Sequence, residues 1–132
     1  MISYDIKPKQ SLGQNFLVDQ NIARNIIEAF APERGDVIVE FGPGYGILTR
    51  ILVNKTNDLT AIEIDRRLAE KIKAEFGSYE NFTLIEADFL KTDLMALYQG
   101  QPLRLIGNIP YNITSPVLFK VLQERKVVRD LT

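Results

Sequence analysis

Apolar residues along the chain follow two alternating spacings. Ile22, Ala23, Ile26, Ile27 and Phe30 recur at helical intervals behind Asp19. A helix is therefore expected over residues 20–30, capped by Asp19 and ended by Ala31-Pro32. Residues 36–41 read Asp-Val-Ile-Val-Glu-Phe, a β-branched run that suits a strand covered on both faces. A glycine loop follows, Gly42-Pro43-Gly44-Tyr45-Gly46, and then Ile47, Leu48, Ile51 and Leu52 return to helical spacing. Leu59 to Ile64 reads as a second strand. Asp65 caps a helix carrying Leu68, Ala69, Ile72 and Phe76, with Gly77 just past its end. Phe82 to Glu86 is a third strand, Asp93 to Tyr98 a short helix, and Leu103 to Gly107 a fourth strand. Ser115 and Pro116 are expected as N-cap and first residue of a last helix, with Val117, Leu118, Val121 and Leu122 on one stripe. Val127 to Leu131 has the composition to begin a fifth strand. Residues 1–18 keep no period and contain Pro8 and Gly13, so they read as an arm before a domain over residues 19–132.

Strands alternating with helices predict an α/β fold, a parallel sheet with right-handed crossovers. Ligands of such sheets bind beyond the carboxyl ends of the strands. That places four segments on one rim: 42–46, 63–65, 87–89 and 108–112.

Composition narrows the chemistry. The 132 residues are 45% apolar and 25% charged, the balance of an ordinary globular domain, and no apolar run approaches the ~20 residues of a membrane-spanning helix. Residues 1–9 hold no apolar stretch of the kind a secretory signal needs, so a cytoplasmic location is expected. The chain has no Cys and no His. Disulfides, thiolate nucleophiles, the Ser-His-Asp triad and most zinc sites are thereby excluded, and no metal is expected. Chemistry must run on Asp, Glu, Asn, Tyr, Lys and backbone groups, which favours positioning a reactive cofactor. A net charge of −1 gives no global nucleic-acid signal. Locally, Lys120, Arg125, Lys126 and Arg129 crowd the C-terminal end, and Lys7 and Lys9 lie in the arm. Solvated surface charge explains such clusters as readily as an RNA contact. Three Asn-X-Thr triplets, at 54–56, 81–83 and 112–114, read as accidental without a signal peptide.

The glycine loop lets the backbone turn sharply and approach a ligand. Its G-x-G-x-G spacing is one residue short of the dinucleotide fingerprint, and a tight strand-to-helix turn is the plain alternative. Glu63 lies 21 residues after Gly42, at the end of the second strand, where a carboxylate can accept hydrogen bonds from both hydroxyls of a ribose. It could equally cap the next helix. Asp88, at the end of the third strand, can accept from the exocyclic amine of adenine or serve as a turn or cap. Asn108-Ile109-Pro110-Tyr111 follows the fourth strand directly. Pro110 forces Ile109 out of the helical region, which can aim its carbonyl at the rim. The Asn108 side-chain oxygen and the Ile109 carbonyl then offer two acceptors to one NH₂ group, and Tyr111 offers a face for a base, worth ~1–3 kcal/mol. Two acceptors draw the amine lone pair out of conjugation and make the nitrogen nucleophilic. The alternative is a proline turn beside a core tyrosine.

With these residues in view, the chain resembles the ribosomal RNA adenine N6-dimethyltransferases. The matching pieces are Gln14-Asn15-Phe16-Leu17, Glu40-Phe41-Gly42-Pro43-Gly44-Tyr45-Gly46, Glu63-Ile64-Asp65, Ala87-Asp88-Phe89-Leu90 and Asn108-Ile109-Pro110-Tyr111-Asn112. Residues 111–119 look more like the small-subunit (kasugamycin-sensitivity) type than the macrolide-resistance enzymes. The resemblance implies a class I methyltransferase, Rossmann-like, with S-adenosylmethionine as cofactor. It implies Asn15, Leu17, Gly42 and Gly44 at the methionine end, Glu63 on the ribose, Asp88 on the adenine amine and Asn108 between cofactor and target. Ribosomal RNA and the small ribosomal subunit are the implied partners. The family continues with three further strands and a helical domain. This chain is therefore expected to be a partial domain of about four strands in the order 3-2-1-4, inactive on RNA alone. Leu103 to Gly107 would be an open edge prone to pair with another chain. Two other functions fit parts of the pattern: an NAD-dependent oxidoreductase, which leaves residues 108–111 unexplained, and a non-catalytic RNA-binding module on a methyltransferase fold.

Overall fold

The computed structural model describes residues 19–107 and 114–132. Its elements in chain order are α1 (Gln20–Phe30), β1 (Val37–Phe41), α2 (Ile47–Leu52), β2 (Asp58–Glu63), α3 (Arg66–Phe76), β3 (Phe82–Glu86), two 3₁₀ turns (Phe89–Lys91 and Leu94–Leu97), β4 (Leu103–Gly107), α4 (Thr114–Gln123) and β5 (Val128–Leu131). All strand pairs are parallel, in the order β3-β2-β1-β4-β5. Alternation along β1 divides the core. Ile38 faces a layer built on Ala23, Ile27 and Phe30 of α1, Leu48 and Leu52 of α2 and Ile72 and Phe76 of α3. Val39 and Phe41 face the opposite layer, with Phe89, Leu94 and Val117. Both faces of the sheet are thus covered, which is why its strands are near-continuous apolar runs.

Local signals in the sequence explain most element ends. The Asp19 carboxylate accepts from the amides of Asn21 and Ile22 at 2.8 and 3.2 Å, and Asp65 does the same for Arg67 and Leu68 at 2.9 and 3.3 Å. These contacts satisfy donors that a helix start leaves open. Ala31 ends α1 with φ +51 and donates its amide to Ile27 O.

Several expectations need correction. The sheet has five strands, not about four, so Leu103–Gly107 lies inside the sheet and the edge on that side is β5. Residues 128–131 join because Leu103 and Leu105 find apolar partners in Val128 and Leu131, while Arg104 meets Asp130. The register shifts between Leu103 and Arg104, placing Arg129 in a bulge. Charge and a bulge are common ways of blunting a strand edge. Residues 93–98 form only a 3₁₀ turn, Leu94–Leu97, capped by Asp93. The last helix starts at Thr114, so Ser115 and Pro116 lie within its first turn, where Pro is tolerated because those amides have no partner inside the helix. Of its expected stripe, Val117 is buried and Val121 partly so, while Leu118 and Leu122 are exposed. Ile22 is likewise exposed on α1. Gly77 keeps a right-handed φ of −62°; an added Cβ there would come within 2.5 Å of Lys73 O, so crowding and not a left-handed turn suits glycine.

A buried ion cluster ties the opposite end of the sheet together. Arg104, on β4, reaches Asp36 at 2.8 Å and Asp130 at 2.9 Å, and donates to the carbonyls of Phe30 and Ala31 at the end of α1. Its guanidinium lies 4.0 Å from the Phe30 ring centroid. Burial alone would raise the Asp36 carboxyl, but the Glu33 amide, Arg104 and Arg129 outweigh it and hold it below the usual range. Asn81 donates to the carbonyls of Val53 and Thr56 at 2.7 and 2.8 Å, so the amide of that Asn-X-Thr triplet bridges backbone groups.

Candidate functional site

In the order β3-β2-β1-β4-β5, chain direction across the sheet reverses between β1 and β4. Open α/β sheets have their ligand crevice at such a switch point. The approach of the two strand ends is close. Gly107 pairs with Phe41, and a Cβ at Gly107 would come within 2.5 Å of Phe41 O and 2.6 Å of its ring. Only glycine lets the strand leading to Asn108 close on the strand leading to the glycine loop.

The loop itself turns through three glycines with positive φ, Gly42 (+64°), Gly44 (+57°) and Gly46 (+82°). Gly42 is exposed, and the space a Cβ would occupy there is open. Gly46 instead packs against Ile72 and Phe76 of α3, 3.0 and 3.1 Å from a notional Cβ. Gly46→Ala is expected to cost about 1–3 kcal/mol from its left-handed backbone, read as a lower urea midpoint. A wild-type midpoint would show that the turn relaxes freely. Outside the turn, Arg50 of α2 donates to Tyr45 O at 3.5 Å and holds Glu75 of α3 through two nitrogens at 2.8 and 3.0 Å.

Glu63 ends β2 beside this loop and is 2% exposed. Its Oε1 accepts from the Gly44 amide at 3.2 Å and its Oε2 from the Asp65 amide at 2.9 Å. Glu63 thus does not cap α3, which Asp65 does. Burial pushes the Glu63 carboxyl up, against the pull of those amides. The Ile64 amide adds to their pull, so backbone donors hold the carboxylate in place at the rim end of β2. Asp88 follows β3, one residue beyond the Ala87 amide that bonds Glu63 O at 3.0 Å. Its Oδ1 caps the next turn through Leu90 N at 2.9 Å, realising the cap reading and leaving Oδ2 with no hydrogen-bond partner among the described residues. Phe89 stacks on Phe41 at 4.4 Å between centroids, fixing the Asp88 turn against the strand that enters the glycine loop.

The structure thus brings Gly42, Gly44, Glu63 and Asp88 to one rim. Asn15, Leu17, Asn108, Ile109, Pro110 and Tyr111 lie outside the described residues. The basic C-terminal cluster is partly committed internally. Lys120 pairs with Glu124 at 2.7 Å and Arg129 with Asp36 at 3.3 Å, while Arg125 and Lys126 are exposed. Sequence reasoning assigned no role to Glu40, Thr49 or Gly107. The signal for Glu40 was available as a carboxylate inside a buried β-branched run. Among the described residues no group of three or more acidic, His or Cys side chains could hold a metal, and no helix is long and apolar enough to cross a membrane.

Residues 6–132 match the family described as ribosomal RNA adenine dimethylase. The chain belongs to that family. It is similar to the ribosomal RNA small subunit methyltransferase A of Chlorobium luteolum, at 48% identity over 128 residues, which is 97% of this chain and 46% of the relative. Among solved structures it is similar to a dimethyladenosine transferase from Plasmodium falciparum, with a TM-score of 0.75 and 29% identity over 89% of this chain and 42% of that one. It is also similar to the 23S rRNA methyltransferase ErmE, with a TM-score of 0.72 and 33% identity over 83% of this chain and 43% of that one. The fold is accordingly that of the class I methyltransferases. The chain spans about half the length of the curated relatives it matches. Membership in the dimethylase family gives the rim its context, since the glycine turn, Glu63 and Asp88 follow three adjacent strands of the sheet.

Proposed function

We propose that this chain is the cofactor-binding and catalytic part of an enzyme that methylates the N6 of adenines in small-subunit ribosomal RNA, twice on each target, using S-adenosylmethionine. The observation that carries the reading is the Glu63 carboxylate, at the end of β2, joined to the Gly44 amide of the turn that leaves β1 beside the switch point. The residues present fit the cofactor: an open glycine turn, a buried carboxylate held by backbone amides at the end of β2, and an Asp88 oxygen beyond the third strand. S-adenosylmethionine supplies a methyl already activated on a sulfonium, so the lack of His is no obstacle.

In this reading Gly42 and Gly44, with Asn15 and Leu17 of the arm, hold the methionine end. Glu63 accepts from the ribose hydroxyls and Asp88 from the adenine amine. Asn108 and the Ile109 carbonyl hold the target N6, Pro110 fixes the turn, and Tyr111 stacks on the target base. The protein contributes orientation and electrostatics to an in-line displacement. One amine proton leaves to solvent after each transfer, and N6 must turn in its pocket before the second. Ribosomal RNA within the small subunit is the proposed partner and the cytoplasm the proposed location.

Calorimetric titration with S-adenosylhomocysteine and with NAD tests the site. Binding of the former only is expected, and Glu63→Ala should weaken it by roughly 1.5–3 kcal/mol, the range for hydrogen bonds to a charged group. Preference for NAD, or an affinity that Glu63→Ala leaves unchanged, would overturn the assignment.

A further inference from the structure

Beneath the rim lies a buried acid that no step above uses. Glu40 is on the central strand, between Ala61 of β2 and Ile106 of β4, and is 1% exposed. Burying a carboxyl costs free energy unless it is hydrogen-bonded. Its bond is short and specific: Thr49 Oγ1 donates to Glu40 Oε1 at 2.6 Å. Thr49 is itself fully buried, on α2. The pair brackets the glycine turn, Glu40 just before it and Thr49 just after. Glu63 holds the same turn from the neighbouring strand through the Gly44 amide.

We propose that Glu40 is a positioning residue of the rim site: acting through Thr49, it latches the Gly42–Gly46 turn to the sheet and so sets the Gly44 amide and Glu63 for the cofactor. The proposal rests on the function proposed above for the identity of the ligand, though not for the latch itself. Among the described residues Glu40 meets Thr49 of α2 by its hydrogen bond, pairs with Ala61 of β2 and Ile106 of β4, and feels the charge of Glu63 at the end of β2. Glu63 is the charged group among these. Burial pushes the Glu40 carboxyl up to about 8, the Thr49 bond opposes the rise, and the Glu63 charge adds to it. Glu40 therefore holds its proton at neutral pH, and Thr49 donates to an uncharged carboxyl. A carboxyl whose folded-state value is raised stabilises the fold most at low pH, and that contribution is lost as pH rises through the raised value. Deprotonation near pH 8 places a second anion beside Glu63, directly under the turn that Glu63 holds.

The test follows the ¹⁵N amide resonances of Gly42, Gly44, Gly46 and Thr49 across the range above and below pH 8, in the wild type and in Glu40→Gln. Glutamine keeps an oxygen for Thr49 and has no proton to lose. S-adenosylhomocysteine affinity is measured on the same samples at about pH 7 and about pH 9. A titration shared by the four amides is expected in the wild type and absent in Glu40→Gln. Wild-type affinity should fall about fivefold or more over that interval, while Glu40→Gln stays within about twofold. Glu40→Ala, checked for folding by circular dichroism, should bind about tenfold more weakly at both pH values. Loop amides whose titration is the same in Glu40→Gln would overturn the latch, as would wild-type affinity in Glu40→Ala. A Glu40-dependent titration of the loop with no S-adenosylhomocysteine binding at any pH would leave the latch standing and overturn the ligand assignment instead.

Discussion

Arg104→Ala is expected to destabilise the chain by about 3–5 kcal/mol, the cost of removing one partner from a buried charge pair. The residue is 5% exposed and its guanidinium serves two carboxylates, Asp36 and Asp130, together with the last carbonyls of α1. Its loss leaves the last α1 carbonyls without this donor and leaves the buried Asp36 to the Glu33 amide and the exposed Arg129 alone. It also loosens β5, which keeps its backbone and apolar pairing to β4 but loses the ion pair through Asp130. Asp130→Asn should cost much less, since Asp130 is over a third exposed and solvent takes up part of the loss. Urea unfolding followed by circular dichroism reads both effects. A change below about 1 kcal/mol for Arg104→Ala would mean that solvent reaches the cluster and that its burial is misjudged.

Asn108→Ala, in the full-length protein, is expected to lower turnover about 100-fold or more while RNA affinity changes little. Asn108 directly follows Gly107, where β4 closes on the entrance to the glycine loop. An acceptor there matters most as positive charge develops on N6 during transfer, so its removal acts on kcat and not on binding. Single-turnover methyl transfer, with RNA affinity measured separately, distinguishes the two. Turnover near that of the wild type would refute the two-acceptor mechanism.

Three of the four rim segments, 42–46, 63–65 and 87–89, were legible in the sequence because they are strand ends followed by residues with distinctive chemistry; the fourth lies outside the described residues. A β-branched run marked β1, and three glycines in five residues marked the turn. The 21-residue step from Gly42 put the Glu63 carboxylate at the end of the second strand. Helix starts were legible where a short polar cap precedes the stripe, as at Asp19 and Asp65. The start of α4 was misread, because Ser115 and Pro116 are favourable inside a first turn as well as at its boundary. Its stripe was legible as a shared face, but periodicity does not show what covers that face. Leu118, Phe119 and Leu122 are exposed among the described residues. The fifth strand was half legible, since its apolar residues were visible but its pairing depends on Arg104 meeting Asp130, a contact 26 residues apart. Glu40 stood out as a carboxylate in a buried run, but its partner, like that of Gly107, was hidden for the same reason. Each depends on a partner that only the fold supplies, Thr49 for the first and Phe41 for the second.

The most direct test of the proposed chemistry is a methyl-transfer reaction with S-adenosylmethionine labelled in its methyl group. The full-length protein is incubated with unmethylated small-subunit ribosomal RNA, which is then digested to nucleosides and resolved by mass spectrometry. The account predicts label in N6,N6-dimethyladenosine, with N6-methyladenosine appearing first and declining, and loss of both in Asn108→Ala. Label on another base or another adenine atom, or no label with an enzyme that binds S-adenosylhomocysteine, would contradict it.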